Sequence, residues 1–589
     1  MQPREFYGSR ITVAAEQIRE GVRKVRMFTL LRLLVFAVFA LPLYFLWGQV
    51  ALFLGIFILG TAFFLWMVSL SVDAKLFLEK ARELKRICEA ELSALDGDWS
   101  AFDTGAEFAD GRHPFSNDLD LFSKKGVFGF VNRTVTAQGK NALAKLLLGG
   151  AADPKRNNEI IDSISREIPW TQKFRISGSI GSREEGARKQ FSDLLKGAVH
   201  DPVWVKWMTY AVPLVTLPAV VLYNFDLLPG EIFSGIVALS LYPTGRLLKS
   251  TNSLSERLGK YESKAAMMLE QVLSLQELQS QNAEIIHLKD SLSSNGLSAE
   301  KALREWLNIN KRFELRMNIV VSIPFNIFLA WDLRQRVALN KWFDTYGQEI
   351  SRWEEILTAL EVYISGATLK FNHPGAVFAA FADQDEIHIR QMIHPLLADS
   401  KAVSNDVYMT GENQFMILTG PNMAGKSTYL RALGLIFVFA NAGFPVFANT
   451  VKIPPMKLYS SMRTTDDLSN ESSYFHAELI RLRFIMDALE QEERIFILLD
   501  EILKGTNSKD KEEGSRRFLR KLQAMGAKGV IATHDLSLCQ LSEGNQVFTN
   551  GCFDSTIEGA HLSFDYKWRP GICQNMNASF LLKQMNLVD

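Results

Sequence analysis

The residues with the most legible chemistry are Gly420-Pro421-Asn422-Met423-Ala424-Gly425-Lys426-Ser427, followed by Thr428. They satisfy G-x-x-x-x-G-K-[ST] at every fixed position. The apolar run before them, 415–418, reads as a buried strand, and a helical pattern follows over 427–439. Strand, loop and helix in that order are what a phosphate-binding loop requires. Gly420 and Gly425 let backbone N–H groups turn inward around phosphate oxygens, and the helix N-terminus adds partial positive charge. Lys426 is placed to reach the β- and γ-phosphates, and the Ser427 hydroxyl to reach Mg²⁺. ATP and Mg²⁺ are the expected ligands. A chance glycine-rich turn is the bland alternative, and the flanking strand and helix argue against it.

Two further strand ends supply the remaining chemistry. Residues 494–501, RIFILLDE, form an apolar run closed by two acids, a Walker B pattern. Asp500 is expected to hold Mg²⁺ through water, and Glu501 to orient or deprotonate the attacking water. Residues 529–535, GVIATHD, place His534 at the end of another short strand, where an ABC-type ATPase senses the γ-phosphate. Each pattern alone is common in protein cores; their order downstream of the loop makes them specific. The expected catalytic set is Lys426, Glu501 and His534.

The elements that must position these groups imply an α/β P-loop NTPase domain of ABC type over 371–589, carried on an all-α core and lever. With 589 residues there is room for several domains, and 65 basic residues balance 65 acidic ones, which excludes a wholly basic nucleic-acid protein but not a local basic face. The cysteines Cys88, Cys539, Cys552 and Cys573 form no C-x-x-C pair, so neither a disulfide framework nor a zinc site is expected.

The N-terminal part has a different character. Residues 1–27 are polar and basic, 29–47 are almost wholly apolar, Gly48-Gln49 interrupt, and 50–72 are apolar again. Each run approaches the ~20 residues that cross a bilayer. A helical hairpin is expected, with its second arm continuing as a charged helix, so that 1–95 forms one membrane unit. Basic residues flank both ends, from Arg4 to Arg26 and from Lys75 to Arg86, which puts both ends in the cytoplasm. A second apolar pair over 203–245 reads as another membrane hairpin or, because its second run is short, as a buried soluble one. Between and after these lie the first part of the helical core, 118–200, and the lever, 250–370. The apolar run 318–331, interrupted by Pro324, is assigned to the core.

Four segments together resemble the MutS mismatch-repair family: TGPNMAGKSTYLR at 419–431, DDLSNESSYFHAEL at 466–479, LLDEILKGTNSKD at 498–510 and ATHD at 532–535. HPLL at 394–397 and NRTVTAQGKNAL at 132–143 are similar to the family's approach to the ATPase domain and to the start of its core domain. The resemblance implies a homodimer in which Ser473 reaches the nucleotide of the opposite protomer, and double-stranded DNA as a partner. Some positions depart from the family pattern: Glu471 for a glycine, Lys504 for an arginine, Lys511 for a glycine, and Ala402 where an adenine-stacking aromatic is expected. Residues 1–117 leave little chain for a mismatch-reading module, Phe77-Leu78-Glu79 spells Phe-x-Glu only by chance, and dimerisation helices are not expected after Asp589. The expectation is thus a multi-pass protein of the cell inner membrane, with a lipid bilayer as partner and a cytoplasmic ATPase that binds DNA without reading mismatches. A membrane scaffold or remodelling ATPase that does not bind DNA is the alternative.

Overall fold

The computed structural model describes residues 2–45, 50–182, 191, 193, 201–293, 296–382, 385–398, 401–412, 414–463, 474–491, 494–504, 507–558 and 561–573. The helices in the first part of the chain are α1 (Pro3–Phe45), α2 (Val50–Leu95), α3 (Val127–Val131), α4 (Ala137–Gly149), α5 (Pro154–Ser165), α6 (Ile168–Gly181), α7 (Val203–Asn224), α8 (Gly230–Gly259), α9 (Glu262–Glu277), α10 (Ala283–Ser291), α11 (Ala299–Glu314), α12 (Ile319–Leu329) and α13 (Trp331–Asn372). Strands β1 (Ala380–Phe381), β2 (Ile387–Met392), β3 (Asn405–Met409) and β4 (Phe415–Thr419) then lead to α14 (Lys426–Ala442). The remainder comprises β5 (Thr450–Ile453), β6 (Lys457–Ser461), α15 (Tyr474–Glu490), β7 (Ile495–Asp500), α16 (Ser508–Ala524), β8 (Lys528–Ala532), β9 (Phe548–Glu558) and β10 (His561–Pro570). The chain divides into two compact units: residues 1–92, 134–139 and 167–362 form one, and residues 93–133, 140–166 and 363–589 the other.

The first unit is helical. In α11, Ala299, Ala302, Leu303, Trp306, Ile309 and Phe313 recur at three- and four-residue spacing and are buried, while Ser298 caps the helix by accepting from Lys301 N–H. Gly181 lets α6 close on α9, because a Cβ there would come within 2.5 Å of Met267. Three buried ion pairs, Arg175–Glu91, Lys264–Glu354 and Arg336–Asp201, tie helices together. Each leaves a costly lone charge if one partner is removed.

Helices α1 and α2 pack as an antiparallel pair: Gly21 lies against Leu78 and Gly60 against Phe39, symmetrically about the break between the helices. The Gly48-Gln49 turn expected there lies outside the described residues. The charged stretch after residue 72 does continue the second helix, as far as Leu95. Among the described residues, α2 and α7 are long and apolar enough to cross a membrane by length and composition. Their side chains agree with that character: Leu59, Leu65 and Trp66 on α2 and Trp207 and Leu214 on α7 are all more than half exposed. The short apolar run after Glu231 is the first part of the 30-residue helix α8.

One assignment needs correction. The run 318–331 is not core: within α12 only Asn326 is buried, and Ile319 and Val320 are 70% and 82% exposed. Hydrophobic composition alone does not distinguish a helix facing other protein from one facing outward.

The second unit is built on a six-stranded sheet of order β10-β9-β4-β8-β7-β6 and a smaller sheet of order β1-β5-β2-β3. In the large sheet β9, β4, β8, β7 and β6 run parallel, with β10 antiparallel on β9. Strands β4 and β8 are buried at every position, as expected of parallel strands covered on both faces. Alternation sends Ile417, Ile497 and Leu499 to a core shared with α15 and α16, and Phe496 to the face covered by α14, where it stacks on Phe437 at 4.4 Å.

Residues 118–133 and 140–166, expected with the helical core, belong to this unit. Apolar packing, with Leu119 against Gly434 and Ile161 against Gly366, is joined by polar contacts. Asp118 accepts from Ser460 Oγ at 2.6 Å and from Arg463 N–H at 2.8 Å. Asp120 takes a bidentate contact from the Arg463 guanidinium and lies 3.2 Å from Arg431 on α14.

Candidate active site

The expected site residues other than Ser473 converge at the C-terminal ends of β4, β7 and β8. Gly420 has φ 146° and Gly425 φ 103°, so the loop after β4 uses backbone conformations that side-chain-bearing residues rarely adopt. A Cβ at Gly420 would also lie 2.6 Å from the Phe553 carbonyl oxygen. Met423, at φ 67° and 81% exposed, forms the outer bend of the loop. Lys426, the first residue of α14, donates to the carbonyls of Gly420 at 2.7 Å and Pro421 at 2.9 Å. Ser427 Oγ donates to Asp500 Oδ2 at 2.6 Å, joining the loop to the end of β7.

Strand β8 lies between β4 and β7, and this order brings His534 to the same cavity as Lys426 after β4 and the acids at the end of β7. Thr533 N–H donates to the Leu418 carbonyl and Glu501 N–H to the Ala532 carbonyl, which fixes the three strand ends relative to one another. His534 Nε2 lies 3.4 Å from Lys426 Nζ. Burial, and next the Lys426 ammonium, pull the imidazole below its ordinary range, so a neutral ring faces the lysine near pH 7. Burial likewise lowers Lys426, opposed by Asp500 and Glu501.

Glu501 sits at φ 54°, a strained conformation for a residue with a side chain. Its carboxylate is 3.0 Å from Lys511 Nζ and 3.7 Å from Lys504 Nζ. Burial pushes the carboxyl up; the Lys511 ammonium, reinforced by Lys504, more than offsets this and holds it below the usual glutamate range. The two lysines that depart from the family pattern thus both meet the expected catalytic carboxylate. The turn after Glu501 is supported by buried Glu478 of α15, which accepts from the N–H groups of Leu503 and Lys504.

Together these groups line a cavity of about 830 Å³, which also takes in Met392, His394, Val403, Asn405 and Tyr566. Asn422, Ala424 and Thr428 line it too. Ala402 is not among the lining residues, although its neighbours Lys401 and Val403 are. The ring of Tyr566, with φ 54°, lies over Gly425. Nothing local in the sequence marks Tyr566: it comes from the distant β10, and the pairing of β10 with β9 beside β4 delivers it. Ser473, Glu471 and the Gly505-Thr506 pair lie outside the described residues.

The donor set fits Mg²⁺-nucleotide. A hydroxyl and one carboxylate at hydrogen-bond distance match a cation that keeps waters and takes its other ligands from phosphates. Among the described residues no group of three or more His, Cys, Asp or Glu side chains forms a metal site that the protein alone could complete.

The family model "MutS domain V" matches residues 416–585. The chain is similar to the DNA mismatch repair protein MutS of Thermotoga sp. (strain RQ2), 28% identical over 242 residues, which are 39% of this chain and 30% of that protein. The MutS protein of Thermotoga maritima is 30% identical over 207 residues, covering 35% of this chain and 25% of its own length. That of Lactobacillus delbrueckii subsp. bulgaricus (strain ATCC BAA-365 / Lb-18) is 31% identical over 231 residues, 38% of this chain and 26% of that protein. The chain thus spans less than a third of the length of these relatives.

Proposed function

We propose that this chain is a membrane-anchored, Mg²⁺-dependent ATPase related to MutS, which works as a homodimer and binds double-stranded DNA in an ATP-dependent way without reading mismatches. The observation that carries the ATPase reading is the 2.6 Å contact between Ser427 and Asp500, with Lys426, Glu501 and His534 lining the same cavity. In this reading Mg²⁺ supplies charge neutralisation at the phosphates, held by Ser427 and Asp500. Lys426 exchanges its loop carbonyls for β- and γ-phosphate oxygens. Glu501 accepts a proton from the water that attacks the γ-phosphorus, and ADP leaves in line. Neutral His534 orients the γ-phosphate or the water, and Tyr566 offers a face on which a purine can stack.

The dimer enters through Ser473, which completes the site of the opposite protomer in this proposal. A Lys426→Ala protomer and a Ser473→Ala protomer, each inactive alone, should regain activity when mixed, because one composite site in the heterodimer is intact. Undiminished hydrolysis by a strictly monomeric sample at high dilution contradicts this.

The DNA reading rests on the similarity to DNA mismatch repair proteins and on basic residues of the lever. The structure narrows that basic face: Arg316 is buried against Asp332 at 3.1 Å and Arg304 pairs with Glu300 at 2.9 Å. This narrowing is the observation behind the second reading, an ATPase that acts at the membrane without DNA. Lys311 remains exposed and can meet phosphates, which position a protein but carry no mismatch information. Competition between matched and mismatched duplexes at fixed salt should show near-equal binding that weakens as salt rises. A tenfold preference for the mismatch, about 1.4 kcal/mol, overturns mismatch-blindness; no binding to either duplex selects the second reading.

A further inference from the structure

Helix α12 and the helices beside it have features the ATPase does not use. The helix is 11 residues long, which at ~1.5 Å per residue is about 16 Å, roughly half of a ~30 Å hydrocarbon core. Neighbouring α7, with 22 residues, reaches about 33 Å on the same rise. The two ends of the α12 segment are tied together. Arg316, just before it, pairs with Asp332, just after it, with both side chains buried. Trp331 Nε1 donates to the Arg312 carbonyl at 3.0 Å. Ala330 turns the chain with φ 47°. The segment therefore enters and leaves at one level, beside the start of α7, where Val205, Val212, Ala330 and Leu333 form a small core.

Six polar side chains on these helices are satisfied locally. Thr209, Thr216, Asn224, Ser234, Ser240 and Asn326 each donate to a carbonyl three or four residues earlier in their own helix. That arrangement leaves apolar side chains such as Leu214, Leu239 and Val320 facing outward without an accompanying polar group in need of water.

At the level where α12 begins and ends, a cavity of about 520 Å³ is lined by Arg312, Arg334 and Lys341 together with Tyr210 and Trp331, and no carboxylate lines it among the described residues. Glu305 lines an adjoining cavity that shares Arg312 and Lys341. Arg334 is oriented from two sides: its Nε donates to the Leu329 carbonyl at 2.8 Å and its Nη2 to the Thr209 carbonyl at 3.0 Å. Three cations with a tyrosine and a tryptophan, at the foot of outward-facing apolar helices, match the layering of a bilayer at its headgroup level.

Resting on the membrane reading above, we propose that α12 is a re-entrant segment in the cytoplasmic half of the bilayer and that the Arg312–Arg334–Lys341 cavity binds the phosphate headgroup of an anionic phospholipid. The basic end of this unit and the acidic loop between α7 and α8, with Asp226 and Glu231, then lie on opposite sides of the membrane, in accord with the charge rule for cytoplasmic flanks.

The test uses the full chain in nanodiscs of phosphatidylcholine containing a minor share of phosphatidylglycerol, with lipids retained after detergent extraction counted by native mass spectrometry. Wild type should retain phosphatidylglycerol at least tenfold over its share in the disc. The double variant Arg312→Gln/Lys341→Gln should lose that enrichment while binding ATP as before, and Arg312→Lys/Lys341→Arg should keep it. Equal enrichment in wild type and the glutamine variant overturns the site, as does displacement of the lipid by glycerol phosphate or by a short DNA duplex. If alkaline washing strips the wild-type chain from native membranes, the membrane reading itself fails. If the chain resists the wash but shows no headgroup preference, only the site fails.

Discussion

Replacing Glu501 by glutamine should leave ATP binding intact and reduce hydrolysis by about a hundredfold or more, the range that a positioned general base contributes. The substitution is nearly isosteric, so the strained turn at φ 54° and the bond from its N–H to the Ala532 carbonyl are kept. What is lost is the carboxylate that accepts the proton of the attacking water, together with its ion pairs to Lys511 and Lys504. Asp500 and Ser427 still face each other at 2.6 Å, so the groups that hold Mg²⁺ are unchanged. Rapid-quench phosphate release and equilibrium binding of a fluorescent ATP analogue, measured on the same preparation, separate the two effects. Equal loss of both would show that Glu501 supports the loop rather than the chemistry.

Replacing Lys426 by alanine should abolish nucleotide binding instead, weakening it by about a hundredfold or more, which corresponds to about 2.7 kcal/mol. Its ammonium is the only lysine of the phosphate loop and is 6% exposed. It is held by the carbonyls of Gly420 and Pro421 in the position from which β- and γ-phosphate oxygens would take it over. Removing it leaves those carbonyls without their donor and the phosphates without their strongest charge partner. Isothermal titration with ATP reads the loss. Retained affinity with lost turnover would move Lys426 from binding to chemistry alone.

How much of this was readable in advance follows from how local each signal is. The phosphate loop is one continuous segment whose glycines, lysine and serine have fixed offsets, and the acids at 500 and 501 end an unbroken apolar strand. Both are properties of a few consecutive residues: the loop lies between β4 and α14, and Asp500 closes β7. Tyr566 and the Lys511–Glu501 ion pair depend on strand order and on the course of α16, and nothing in their neighbourhoods announces them. The segment 118–133 reads as helices by composition, but its partners, Ser460, Arg463 and Arg431, are more than three hundred positions away. The exposure of α12 was missed for a different reason: an apolar run of 11 residues has the same composition whether protein or lipid surrounds it.

The central claim, a Mg²⁺-dependent ATPase centred on Ser427, Asp500 and Glu501, is tested most directly by phosphate release from ATP by the purified full-length wild-type chain, with Mg²⁺ present and after chelation. Steady release with Mg²⁺ that stops on chelation and returns when Mg²⁺ is restored is the expected result. Release that continues undiminished in the chelator, or no hydrolysis at any Mg²⁺ concentration by a chain that is folded and binds ATP, would contradict it.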